Sequence, residues 1–174
     1  MSTKEWEPQY FMDTIVVSGV PPGNSKLSEW LDKCNALMQK GDEITGVLNL
    51  TNTKRYYSPD RLIKRDGSPM DYLHVSIPHG RSPTLAQWSE CMNFIDLHRS
   101  KVAVHCTHGV HRTGAIVCAY ACVRMEMTPQ SSIRGFENMR RRCVKDCRVK
   151  DRKQLYEFIF KQHKRTLPKK GKKT

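Results

Sequence analysis

Two periods of apolar and polar positions alternate along this chain. Asp13 to Val20 is a β-branched run stopped by Pro21-Pro22-Gly23, which predicts a buried strand ending in a turn. Ser25 to Lys40 then places Leu27, Trp30, Leu31, Cys34, Leu37 and Met38 at i, i+3, i+4, i+7 spacing before Gly41, which predicts an amphipathic helix. Ile44 to Leu50 reads as a second strand, Ser58-Pro59-Asp60 opens a short helix, and Tyr72 to Ile77 is a third strand closed by Pro78. Ser82-Pro83 starts a helix to about Arg99 that buries Leu85, Trp88, Cys91, Met92 and Ile95. Lys101 to Cys106 is a short apolar strand, and helices follow over Thr113–Arg124, Pro129–Arg142 and Asp151–Lys164. Strands interleaved with helices predict an α/β fold with a central, mostly parallel, twisted sheet flanked by helices.

At 174 residues the chain has the length of one domain, expected over 1–165, with a basic tail over 166–174. Its longest uncharged apolar stretch, Gly114 to Val123, is 10 residues, about half of what a bilayer span requires. The start, Met1-Ser2-Thr3-Lys4-Glu5-Trp6-Glu7, lacks a secretory pattern, so the nucleus or cytoplasm is expected rather than secretion. Seven cysteines without a regular framework are expected to be free thiols; Cys118/Cys122 and Cys143/Cys147 lack the further ligands of a zinc site, and no metal or cofactor is expected. Charge changes the picture more. The net charge is +13, and residues 1–100 hold 11 Lys+Arg against 12 Asp+Glu whereas residues 101–174 hold 19 against 5. The partner should therefore be acidic, and it should meet the second half of the chain.

That half opens on Val104-His105-Cys106-Thr107-His108-Gly109-Val110-His111-Arg112-Thr113-Gly114. Between a strand and a helix, the N–H groups of such a loop and the helix N-terminus converge on one anion, forming a phosphate cradle. The same groups would hold Cys106 as a thiolate, lowering its pKa below the free value of about 8.5 and making it a nucleophile. Arg112, six residues on, can fold its planar fork over two phosphate oxygens, Gly109 permits the tight turn, and Thr113 places a hydroxyl beside the sulfur.

These residues spell Cys-x5-Arg-Thr, and the chain resembles the cysteine-dependent tyrosine and dual-specificity phosphatases. His-Cys-Thr-His-Gly-x-x-Arg-Thr-Gly, together with Leu50-Thr51-Asn52-Thr53-Lys54-Arg55-Tyr56-Tyr57, resembles the RNA 5′-triphosphatase branch, which includes metazoan capping-enzyme triphosphatase domains and the baculoviral phosphatase. The resemblance spans roughly residues 40–160. It implies the cysteine-phosphatase fold, a cysteinyl-phosphate intermediate, no metal, and as substrate an RNA with a 5′-triphosphate or diphosphate end. It also implies Cys106, Arg112 and Thr113 as catalytic residues. Three positions depart from the pattern: His111 stands where the branch usually has Asn, Asn49 where it usually has Asp, and His79 where Gly is common.

The leaving group separates the candidate substrates. Phosphotyrosine expels a phenolate whose conjugate acid has a pKa of about 10, which calls for a carboxylic acid on the loop upstream of the nucleophile. Ser76 to Pro83 contains none. A terminal phosphoanhydride expels a diphosphate end of pKa about 6, which needs little acid help. His79 is a candidate acid or phosphate contact, since imidazole ordinarily titrates at about 6.5, and Asp60, Asp66 and Asp71 are further candidate acids. His105, Thr107, His108, Gly109, Val110 and His111 are candidates to shape the cradle or touch phosphate, and Lys54 and Arg55 to hold distal phosphates or RNA backbone. Arg134, Arg140, Arg141, Arg142, Lys145, Arg148, Lys150, Arg152 and Lys153 are expected to flank the mouth and attract a polyanion. The enzyme is expected to be a monomer away from membranes, removing the γ-phosphate and with the β-phosphate as a second candidate. The competing readings are a dual-specificity protein phosphatase acting on phosphoproteins, and an idle phosphate- or RNA-binding module.

Overall fold

In a computed structural model, residues 6–12, 15–99, 101–140 and 149–166 are described. The expected α/β architecture is present. Strands β1 (Gln9–Phe11), β2 (Ile15–Gly19), β3 (Gly46–Asn49), β4 (Asp71–His74) and β5 (Val102–Cys106) form one sheet in the order β1-β2-β5-β3-β4. β1 pairs antiparallel with β2, and the other three pairings are parallel. The helices are α1 (Leu27–Ala36), α2 (Leu85–Leu97), α3 (His111–Arg124), α4 (Pro129–Met139) and α5 (Val149–Thr166), with 3-10 turns at Asn24–Lys26 and Pro59–Arg61. Because β5 is central and every residue of it is buried, the sheet delivers Cys106 to its carboxyl edge from the best-protected strand of the fold.

Two apolar clusters lie on the two faces of the sheet. Val17, Leu48, Val102 and Val104 point to the face covered by α2, α3 and Phe158 of α5, while Val16, Val47 and Ala103 point to the face covered by Trp30 and Leu31 of α1. This alternation with both faces buried explains why β2, β3 and β5 read as continuous apolar runs. The element ends differ from expectation by a few residues. α2 starts at Leu85 because Thr84, not Ser82-Pro83, makes the cap: its hydroxyl accepts from the Gln87 N–H while the Gln87 side chain accepts from the Thr84 N–H. α4 ends at Met139 rather than Arg142. Asp13, Cys143, Cys147 and the basic tail beyond Thr166 lie outside the described residues. No helix among the described residues is long and apolar enough to cross a membrane.

Candidate active site

The cradle forms where β5 stops and α3 starts. Gly109, at φ +65°, permits the turn, and the backbone of β2 passes so close that a Cβ there would stand 2.3 Å from the Ser18 carbonyl. The loop lies against β2 through the Val20 N–H, which donates to the Thr107 carbonyl at 3.3 Å. Cys106 is buried, which by itself pushes its thiol pKa up. The Arg112 guanidinium, the Thr113 hydroxyl and N–H, and the Val110 N–H outweigh that burial and bring the thiol below its ordinary value. Cys118, buried on α3 with a Ser132 hydrogen bond but no neighbouring cation, is raised instead, because there burial outweighs the hydrogen bond, so the guanidinium and the cradle N–H groups make the difference at Cys106.

Arg112 is 6% exposed and reaches across the carboxyl edge of the sheet. Its Nη1 donates to the Leu50 carbonyl at 3.3 Å and the Ile77 carbonyl at 3.2 Å, and Nη2 donates to Thr107 Oγ1 at 2.7 Å. All three acceptors are neutral oxygens, so the guanidinium keeps its charge for the thiolate or a bound phosphate. The Thr113 hydroxyl is fully buried and has no well-aligned partner, which leaves it poised for the sulfur beside it.

A buried polar layer adjoins Cys106. His105 Nε2 and Tyr57 Oη are 2.6 Å apart, and the Trp30 ring packs edge-on against His105 while its N–H donates to Ser18 Oγ at 3.0 Å. Burial, then the nearby Arg112 and His74, push the His105 pKa down to about 3, so the imidazole is neutral. Asn49 sits in the same layer: its Oδ1 accepts from the Thr51 N–H and hydroxyl, and its Nδ2 donates to Tyr72 Oη at 2.8 Å. The amide thus fixes the bend that presents Lys54 and Arg55, both exposed; Arg55 lies over the Tyr56 ring at 5.5 Å.

At the mouth, His79 of the β4–α2 loop meets His111 of α3 edge-on, ring centroids 6.3 Å apart, and His108 of the cradle loop is exposed. The Ser76 hydroxyl donates to Asn52 Oδ1 at 2.7 Å, joining this loop to the Thr51–Tyr57 bend. The β4–α2 loop is thus in contact with both the Thr51–Tyr57 bend and the start of α3. A profile described as "Dual specificity phosphatase, catalytic domain" matches residues 28–159. The chain belongs to the dual-specificity phosphatase family. Curated relatives include the bovine (Bos taurus) RNA/RNP complex-1-interacting phosphatase, 30% identical over 66% of this chain and 35% of that protein. The zebrafish (Danio rerio) mRNA-capping enzyme is 35% identical over 54% of this chain and 16% of its own length. The tyrosine-protein phosphatase of Autographa californica nuclear polyhedrosis virus is 30% identical over 60% of this chain and 63% of that one. The phosphatase chain thus aligns with about a third of the bovine relative. Among solved structures, Tk-PTP in the active form matches with TM-score 0.68 at 17% identity over 95% of this chain and 99% of that one, and PTPMT1 in complex with PI(5)P with TM-score 0.63 at 18% identity over 92% and 99%; both share the fold.

One expectation about this dual-specificity phosphatase domain is corrected. Arg140, expected on an exposed basic rim, is 2% exposed and faces inward. Its Nη1 donates to the Glu7 carbonyl at 3.1 Å and to Gln9 Oε1 at 3.0 Å, and its Nη2 donates to the His108 carbonyl at 3.0 Å. Gln9 Nε2 in turn donates to the Met139 carbonyl at 2.9 Å, so Arg140 ties the cradle to β1. Nothing in the sequence separates Arg140 from the basic residues after it, and the role depends on a partner more than 130 positions away. Arg141, Arg142, Lys145 and Arg148 lie outside the described residues. No group of three or more His, Cys, Asp or Glu among the described residues is arranged to hold a metal.

Proposed function

We propose that this phosphatase removes the γ-phosphate from RNA 5′ ends, with the β-phosphate of the diphosphate product as a second candidate substrate. The observation that carries the reading is the mouth: the loop that lends its Ile77 carbonyl to Arg112 offers His79 against His111 and no carboxylate. Such a mouth suits a phosphoanhydride, whose leaving diphosphate is far less basic than a phenolate. The relatives named for mRNA capping and for an RNA/RNP complex support the same direction. Cys106 thiolate attacks the terminal phosphorus, the S–P bond forms and the β–γ P–O bond breaks while Arg112 and loop N–H groups hold the equatorial oxygens. Water then attacks the cysteinyl-phosphate, inorganic phosphate leaves, and the Thr113 hydroxyl donates to the departing thiolate. His79 and His111 face the leaving group, and Lys54 and Arg55 the distal phosphates.

Phosphate release from triphosphate-ended RNA and from a phosphotyrosine peptide, at equal concentration with chelator present, tests the reading. Faster turnover of the RNA is expected, and loss of both activities in Cys106→Ser. Equal or faster turnover of the peptide would make the chain a protein phosphatase, and activity surviving Cys106→Ser would overturn the mechanism.

A further inference from the structure

A second concave feature opens beside the active site. A cavity of about 320 Å³ lies between the start of α2 and the last two turns of α5, lined by Ser82, Thr84, Leu85, Lys161, Gln162 and Arg165 among others. Topology puts it at the catalytic end of the sheet. The β4–α2 connection carries both Ile77, on Arg112, and Ser82, in the groove; five residues of chain reach at most ~18 Å. The first turn of α2 is also fastened to that connection, because Gln87 Nε2 donates to the Ser76 carbonyl at 2.8 Å. α5 is held there by Phe158, which packs edge-on against Trp88 at 5.9 Å.

The lining has a definite chemical character. Lys161 and Arg165 are exposed cations one turn apart on α5, against a single carboxylate, Glu157. Gln162, 4% exposed, accepts from Arg165 Nη1 at 3.1 Å and so holds that guanidinium over the groove. Leu85, expected on the buried face of α2, is instead 55% exposed at its N-terminal turn, ahead of the residues that α2 packs inward, and gives an apolar surface that a base can cover. Cations beside an uncovered apolar side chain, within a short chain length of a phosphate cradle, match a nucleotide chain that continues from the cradle. We infer that this groove seats the backbone of the first few nucleotides of the RNA whose 5′ end lies at Cys106, with Lys161 and Arg165 on its phosphodiesters. The inference rests on the proposed RNA function and supplies what that function lacks, a means to distinguish an RNA end from a free nucleoside triphosphate.

The test compares Lys161→Glu/Arg165→Glu and Lys161→Ala with the wild-type chain. The substrates are a triphosphate-ended decanucleotide and a mononucleoside triphosphate, followed through kcat/KM, with thermal unfolding as a control for folding. The decanucleotide-to-mononucleotide ratio should fall about tenfold or more in the charge reversal and less in Lys161→Ala. The slope of log kcat/KM for the decanucleotide against log salt should become shallower by about 0.7 for each phosphate that the variant no longer neutralises. An unchanged ratio would overturn the groove, as would a selective loss on a phosphotyrosine peptide, which would make the groove a peptide site. Binding of a 5′-hydroxyl decanucleotide by fluorescence anisotropy separates the two readings. If the wild-type chain cleaves no triphosphate end, the proposed function falls; the groove then stands only if this binding weakens in the variants, and falls if it does not.

Discussion

The Cys106 thiol is held below its ordinary pKa because one cation and a few oriented N–H and O–H groups outweigh its burial. Its alkylation rate should therefore rise with pH through a midpoint below the ordinary thiol value, since only the thiolate reacts. Arg112→Ala should move that midpoint upward and abolish turnover; an unmoved midpoint would remove Arg112 from the thiolate's support. His105 carries the opposite sign of linkage. Its folded pKa of about 3 lies below the unfolded value, so the unfolded chain takes up a proton first as pH falls. Its contribution to stability is complete above about pH 6.5 and declines from there down to about pH 3, which denaturant unfolding across that range would show. Tyr57→Phe leaves the His105 Nε2 without its partner and should cost about 1–3 kcal/mol in the same assay.

At the scale of elements, the cradle depends on backbone passing backbone. Gly109→Ala would put a methyl into the Ser18 carbonyl, so the loop must open away from β2. Turnover should fall by at least about a hundredfold, the order of magnitude that a small misplacement of reacting groups costs, while far-ultraviolet circular dichroism stays near that of the wild type. Near-normal turnover would mean the loop tolerates that displacement. The loop is readable in sequence because Cys106, Gly109, Arg112 and Thr113 act on one another within a span of eight positions. The central strands are readable because burial on both faces leaves them mostly apolar, with Ser18, Asn49 and His105 the polar exceptions near their carboxyl ends. β1 is not, since Gln9-Tyr10-Phe11 is three residues long and is held by pairing with β2 rather than by its own pattern. Nor is the role of Tyr57 or Arg140, because each is defined by a contact with His105 or His108 that lies far off in sequence.

For the whole molecule, the asymmetry of charge takes a direction. The described cations of the second half include one buried tie, Arg140, one buried guanidinium in the candidate cradle, Arg112, and exposed groups such as Lys161 and Arg165 in the groove between α2 and α5. Turnover of RNA ends should therefore fall steeply as salt rises, whereas a small aryl phosphomonoester, which has no nucleotide chain to attract, should respond weakly. Initial-rate assays from low to physiological ionic strength would show this, and equal slopes would confine the field to the cradle itself. The tie has a further consequence for synthesis. The ribosome delivers β1 first, the Cys106 loop about a hundred residues later, and Arg140 last of the three. A nascent chain can therefore display Cys106 before the Arg140 clasp that joins its loop to β1 has emerged, so the loop gains its tie to the sheet edge only after residue 140 has been made.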